Sequence, residues 1–174
     1  MDFDRDILKP GDAMLYYGDA LPNAQDARQH AGFVDWAIGV KTGGLVAHIE
    51  LYDVGGSSVA SRNGIGVNRY ATRLNGLIAV RRTKPAFDWL QGEGWFNSSA
   101  RGEKYDFKGL LCFWLAVRQG SQDRMFCSEF ALRRYRASSF QPFNPDQDAD
   151  RTSPFDFWKC GNMDTIWKKP SFNV

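Results

Sequence analysis

The sequence predicts a single α+β domain in which a small antiparallel sheet packs against helices. Short β-rich runs divided by turn residues occupy much of the stretch between residues 13 and 82, while helix-period apolar patterns dominate from Phe87 to Phe157. Strands grouped before helices mark the α+β class. The 174 residues, 43% hydrophobic and 24% charged, match one globular domain with a sizeable core.

Pro10-Gly11-Asp12 is a turn signal, and residues 13–17 after it form a first strand stopped at Gly18-Asp19. Tyr16 and Tyr17 close that strand as packing residues. Residues 19–31 are polar loop carrying His30 as a surface histidine. Phe33, Trp36, Ala37 and Val40 recur at helical spacing, with Gly43-Gly44 as the stop, which predicts an amphipathic helix. Residues 45–53 read as a strand ending at Gly55-Gly56-Ser57. Residues 58–62 pair back as a hairpin closed by Asn63-Gly64, and a short strand follows at 65–70. Residues 77–82 form the last strand, ended by Lys84-Pro85.

Phe87, Leu90, Trp95 and Phe96 predict a helix interrupted by Gly92 and Gly94. Residues 110–117 predict a buried helix capped by Gly120, with Cys112 inside it as a small hydrophobe. Another helix runs from Cys127 to about Ser138. Its Arg133, Arg134 and Arg136 form a solvated face near the negative end of the dipole. Residues 139–154 are loop, and Ser153-Pro154 begins a last helix with proline at its first position. The tail around Trp167-Lys168-Lys169-Pro170 carries no element signal.

A net charge of +2 and a pI near 8.4 are too balanced for a nucleic-acid footprint. The acidic start Met1-Asp2-Phe3-Asp4-Arg5-Asp6 lacks an apolar secretion core, and no apolar run reaches transmembrane length. Cys112, Cys127 and Cys160 show no metal spacing and are expected to be reduced thiols. Gly64-Ile65-Gly66 is a turn rather than a dinucleotide loop. A cytoplasmic protein without metal or cofactor is the expectation, its aromatic residues (14%) serving chiefly as core.

Cys127 is the candidate nucleophile. It stands where the helix pattern begins, and free N–H groups with the positive dipole end favour a thiolate there. The same N–H groups are suited to holding an oxyanion. A thiolate also needs a proton carrier, and the sequence has two histidines, His30 and His48. His48 lies on a predicted strand, with Val46, His48 and Glu50 on one face by alternation. Glu50, about 6.6 Å along that strand, is the nearest carboxylate in sequence. Glu129 points about 200° round the helix from Cys127, which suits a structural or substrate-side role.

The ordered set Lys9-Pro10-Gly11-Asp12, Thr42-Gly43-Gly44, Ala47-His48-Ile49-Glu50-Leu51-Tyr52, Gly66-Val67 and Phe126-Cys127-Ser128-Glu129 resembles the permuted papain-like hydrolases. These are the YiiX-like branch of the NlpC superfamily, related in fold to lecithin:retinol acyltransferase, with the histidine strand preceding the cysteine helix; phage-encoded versions are similar. The resemblance spans about residues 7 to 157. It implies a circularly permuted papain-like fold with Cys127 as nucleophile and His48 as general base and acid. The family often places a glutamate about a dozen residues after the histidine. This chain has Val59-Ala60-Ser61-Arg62-Asn63 there, so Glu50 or Ser61 is left as the third member, and Arg62 is electrostatically unsuited to an imidazolium.

The resemblance thus implies a cysteine hydrolase cleaving an amide bond through a thioester. Its substrate would be a peptide, a cell-wall fragment or an acylated small molecule. An acyltransferase or lipid hydrolase is the alternative enzyme. A binding or virion-structural module on the same scaffold is the alternative without catalysis, and the altered third position favours it.

Overall fold

The computed structural model describes residues 3–17, 46–106 and 125–172. The expected helix over residues 33–40, the expected buried helix over 110–117 with Cys112, and His30 lie outside the described residues. Within them the fold is α+β: a six-stranded antiparallel sheet with helices.

The strands are β1 (Ala13–Tyr16), β2 (His48–Tyr52), β3 (Ser57–Arg62), β4 (Gly66–Ala71), β5 (Leu77–Thr83) and β6 (Met163–Lys168), in the spatial order β4-β3-β2-β1-β5-β6. The turn before β1 forms because Gly11 takes φ +89°, a conformation open to glycine, and a Cβ there would press into the Phe87 ring. Asp12 accepts from the Lys9 N–H at 2.8 Å and pairs with Arg82 at 2.6 Å, which locks this turn onto β5. The Asn63-Gly64 turn joins β3 to β4, with Gly64 at φ +77°.

Two of the expected elements need correction. The strand at 77–82 is not the last, because β6, from the tail, pairs with β5. Its alternation is masked: Asp164 and Thr165 are both exposed, and the β5 register shifts between Val80 and Arg81. Residues 87–96 do not form one interrupted helix. Trp89–Gly92, Glu93–Trp95 and Phe96–Ala100 are successive short turns of differing pitch.

Helix α1 (Cys127–Ala137) packs across β2 and β3. The short α2 (Pro154–Lys159) begins with a complete capping box, in which Ser153 and Asp156 satisfy each other's backbone N–H groups. Between the sheet and α1 lies the main core, including Leu15, Ile49, Leu51, Val59, Phe130, Tyr135 and Phe157. Each such aliphatic side chain contributes about 1.5–3 kcal/mol by leaving water. Tyr135 is fully buried, and its hydroxyl donates to the Gly11 carbonyl at 2.7 Å, tying α1 to the first turn.

Arg134 departs from the solvated face expected of the α1 arginines. It has no exposed surface, lies 3.9 Å over the Trp89 ring, and donates to Ser138 Oγ at 2.7 Å and the Trp89 carbonyl at 3.0 Å. Gly92 leaves it room, since a Cβ there would strike Arg134 Nη1.

Candidate functional site

Strand pairing decides where the candidate residues stand. In the antiparallel β1–β2 register, Tyr16 faces His48, Met14 faces Glu50, Leu15 faces Ile49 and Ala13 faces Leu51. Directly opposed residues share a sheet face, and the face changes with every residue. Leu15, Ile49 and Leu51 belong to the core that contains Cys127. Met14 and Tyr16 belong to a second cluster with Leu8, Leu77 and Val80. His48 and Glu50 are therefore on the face turned away from α1.

This corrects the expected pairing of Cys127 with His48. Cys127 does open α1 and is 1% exposed, but the sheet separates it from the imidazole. A strand register shifted by one residue would exchange the faces; the apolar Ile49 and Leu51 hold the observed register by facing the core. Ser61, considered for the third position, is on the Cys127 side, where its hydroxyl donates to the Met125 carbonyl and anchors the start of α1.

His48 and Glu50 do meet. Nε2 of His48 lies 3.2 Å from Oε1 of Glu50. Glu50 has no exposed surface and also accepts from Ser58 Oγ at 2.6 Å and from Arg62 Nε and Nη2 at 2.9 and 3.0 Å. Arg73 Nη2 stands 3.1 Å from the same carboxylate. The pair is thus part of a polar cluster on the outer face, with Arg73 over the Tyr16 ring and Arg62 over the Tyr70 ring.

Burial pushes the Glu50 carboxyl up, but the His48 hydrogen bond and the two arginines outweigh it and hold the group below its ordinary value. Burial also lowers the His48 pKa, and the arginine charges add to that effect against the pull of Glu50. The resulting state is an ionised carboxylate beside a neutral imidazole. Because an ionised carboxylate only accepts, Nε2 carries the proton and Nδ1 has the lone pair. Arg62 sits beside a neutral ring and compensates Glu50, so the expected clash with an imidazolium does not arise.

Glu129, two residues after Cys127, supports the helix start. Its carboxylate accepts from the Phe126 backbone and pairs with Arg133 at 2.7 Å. Burial lifts its pKa to about 7; Arg133 opposes the shift and Asp106 adds to it.

Alternation within the hairpin is a sequence signal that places Ser58 and Arg62 on the Glu50 face. No comparable signal identifies Arg73, which reaches Glu50 from beyond β4. Among the described residues, no group of three or more His, Cys, Asp or Glu is arranged to hold a metal ion, and no helix is long and apolar enough to cross a membrane. Comparison of the sequence with models of known families and with curated proteins finds no match.

Proposed function

We propose that this protein is a binding module on a scaffold of the permuted papain-like type, without a working Cys127–His48 couple. The observation that carries the reading is the separation of Cys127 and His48 by the sheet. The general base of a thiol hydrolase must come within hydrogen-bond reach of its nucleophile, directly or through one water. Support for the papain-like arrangement comes from the histidine strand preceding the cysteine helix, and from α1 lying across β2 and β3.

The position of Cys127 at the first residue of an eleven-residue helix favours a second reading. In it, the Cys127 thiolate attacks an amide or ester carbonyl, first-turn N–H groups hold the oxyanion, and a carrier other than His48 protonates the leaving group. Water then adds to the thioester and releases the acid and the thiol.

One experiment separates these readings. Iodoacetamide alkylation of Cys127 is followed against pH in the wild type and in His48→Ala, with Cys127→Ser identifying the signal among the three cysteines. The binding reading expects slow alkylation that His48→Ala leaves unchanged. Rapid alkylation at neutral pH that is independent of His48 would select the second reading. Rapid alkylation that collapses in His48→Ala would overturn both and restore the Cys127–His48 hydrolase.

A further inference from the structure

The end of β4 gathers positive charge around a buried hydroxyl. The successive carbonyls of Ala71 and Thr72 accept from two different guanidiniums: Arg62 Nη2 at 3.4 Å and Arg5 Nη2 at 3.0 Å. Arg73 is the next residue, with its guanidinium paired to Glu50 and set over Tyr16. Thr72 is only 9% exposed, and its Oγ1 has no hydrogen-bond partner. Leaving a buried hydroxyl unsatisfied costs about 1–3 kcal/mol, so its position calls for a ligand or other partner.

The two donating arginines are pre-positioned and retain donors. Arg62 is fixed by two bonds to Glu50 and by the Tyr70 ring at 4.0 Å, which leaves Nη1 uncommitted among the described residues. Arg5 is fixed through one Nη2 bond and belongs to the exposed turn Arg5–Ile7. The facing acids are Glu50, engaged by His48, Arg62 and Arg73, and Asp4 and Asp6 on the Arg5 turn, where Asp4 caps the Asp6 N–H.

We infer that the end of β4 binds a phosphate group, with Arg5, Arg62 and the Thr72 hydroxyl as its donors. Donors from three separate residues suit a tetrahedral oxyanion better than a planar carboxylate, which one guanidinium fork can satisfy. The ligand is either the free ion or a small phosphate ester. This deepens the binding-module reading and rests on it for its biological meaning, while its test is made on the opposite sheet face from Cys127.

The test is an NMR titration of the ¹⁵N-labelled full chain with inorganic phosphate and, separately, phenyl phosphate, at constant ionic strength. Saturable shifts are expected at the Thr72 and Arg73 amides and at Arg5 and Arg62 Nε. Tighter binding of phenyl phosphate identifies an ester site, and tighter binding of inorganic phosphate a free-ion site. Arg5→Gln and Thr72→Val should each weaken binding about tenfold. Arg5→Gln alters an exposed turn, and unchanged amide dispersion in both variants would show that the fold is retained. Shifts that grow linearly without saturation, or affinity unchanged in both folded variants, overturn the inference. If phosphate binds while Cys127 alkylation proves His48-dependent, the binding-module reading falls and the phosphate site stands.

Discussion

His48 and Cys127 stand on opposite faces of one sheet, although their strand and helix are packed together. The separation follows from side-chain alternation: Ile49 faces the core beneath α1, so its neighbour His48 faces outward. His48→Ala is therefore expected to change protein stability without changing Cys127 chemistry. Urea unfolding and the alkylation profile measure those two effects on the same variant.

Removing Glu50 should be the most damaging single change on the outer face. Glu50→Ala leaves Arg62 and Arg73 without their shared carboxylate, and breaking a buried ion pair from one side costs about 3–5 kcal/mol. The urea midpoint is expected to fall accordingly. The double variant Glu50→Ala/Arg62→Ala should cost less than the sum of its single changes, because the two groups are coupled.

Stability should show opposing pH dependences. His48 has a lowered folded pKa, so the unfolded chain binds its proton more readily, and this contribution is lost as pH falls below the unfolded value of 6.5. Glu129 is raised from 4.5 to about 7, so the folded chain binds the extra proton and stability falls as pH rises across that window. Glu129→Gln, which resembles the protonated form, should gain relative to wild type by on the order of 2 kcal/mol between about pH 5 and pH 8. Urea midpoints at those two pH values would show no such gain if Glu129 titrates normally.

Arg134 is a core residue of α1 despite its charge. Arg134→Ala removes its bonds to Ser138 and the Trp89 carbonyl and empties the space beside Gly92, so a loss of about 3 kcal/mol is expected. Arg134→Lys should recover little, because an ammonium cannot stack its plane on Trp89 or reproduce the guanidinium fork. Thermal unfolding of both variants tests this.

Capping energy can be isolated at α2. Ser153→Ala removes the hydroxyl that accepts from the Asp156 N–H and should lower stability by about 1 kcal/mol, while Ser153→Asp should retain most of it. Chemical denaturation of the pair distinguishes loss of the cap from loss of packing.

The sequence alone determined the features whose causes are local. Pro10-Gly11-Asp12 and Asn63-Gly64 announced turns, the runs at 13–17, 45–53, 58–62 and 77–82 announced strands, and Cys127 and Ser153 marked helix starts. Local φ preference, side-chain period and capping chemistry are written within a few residues of the place where they act. The tertiary structure alone decided which of those features meet. Apolar burial at Ile49 and Leu51 chose the strand face and turned His48 away from Cys127, while Trp89 and Gly92 made a buried site for Arg134. Pairing to β5 gave the C-terminal tail its strand. Each outcome depends on contacts between residues distant in the chain, whose free energy exists only after the sheet and α1 have come together.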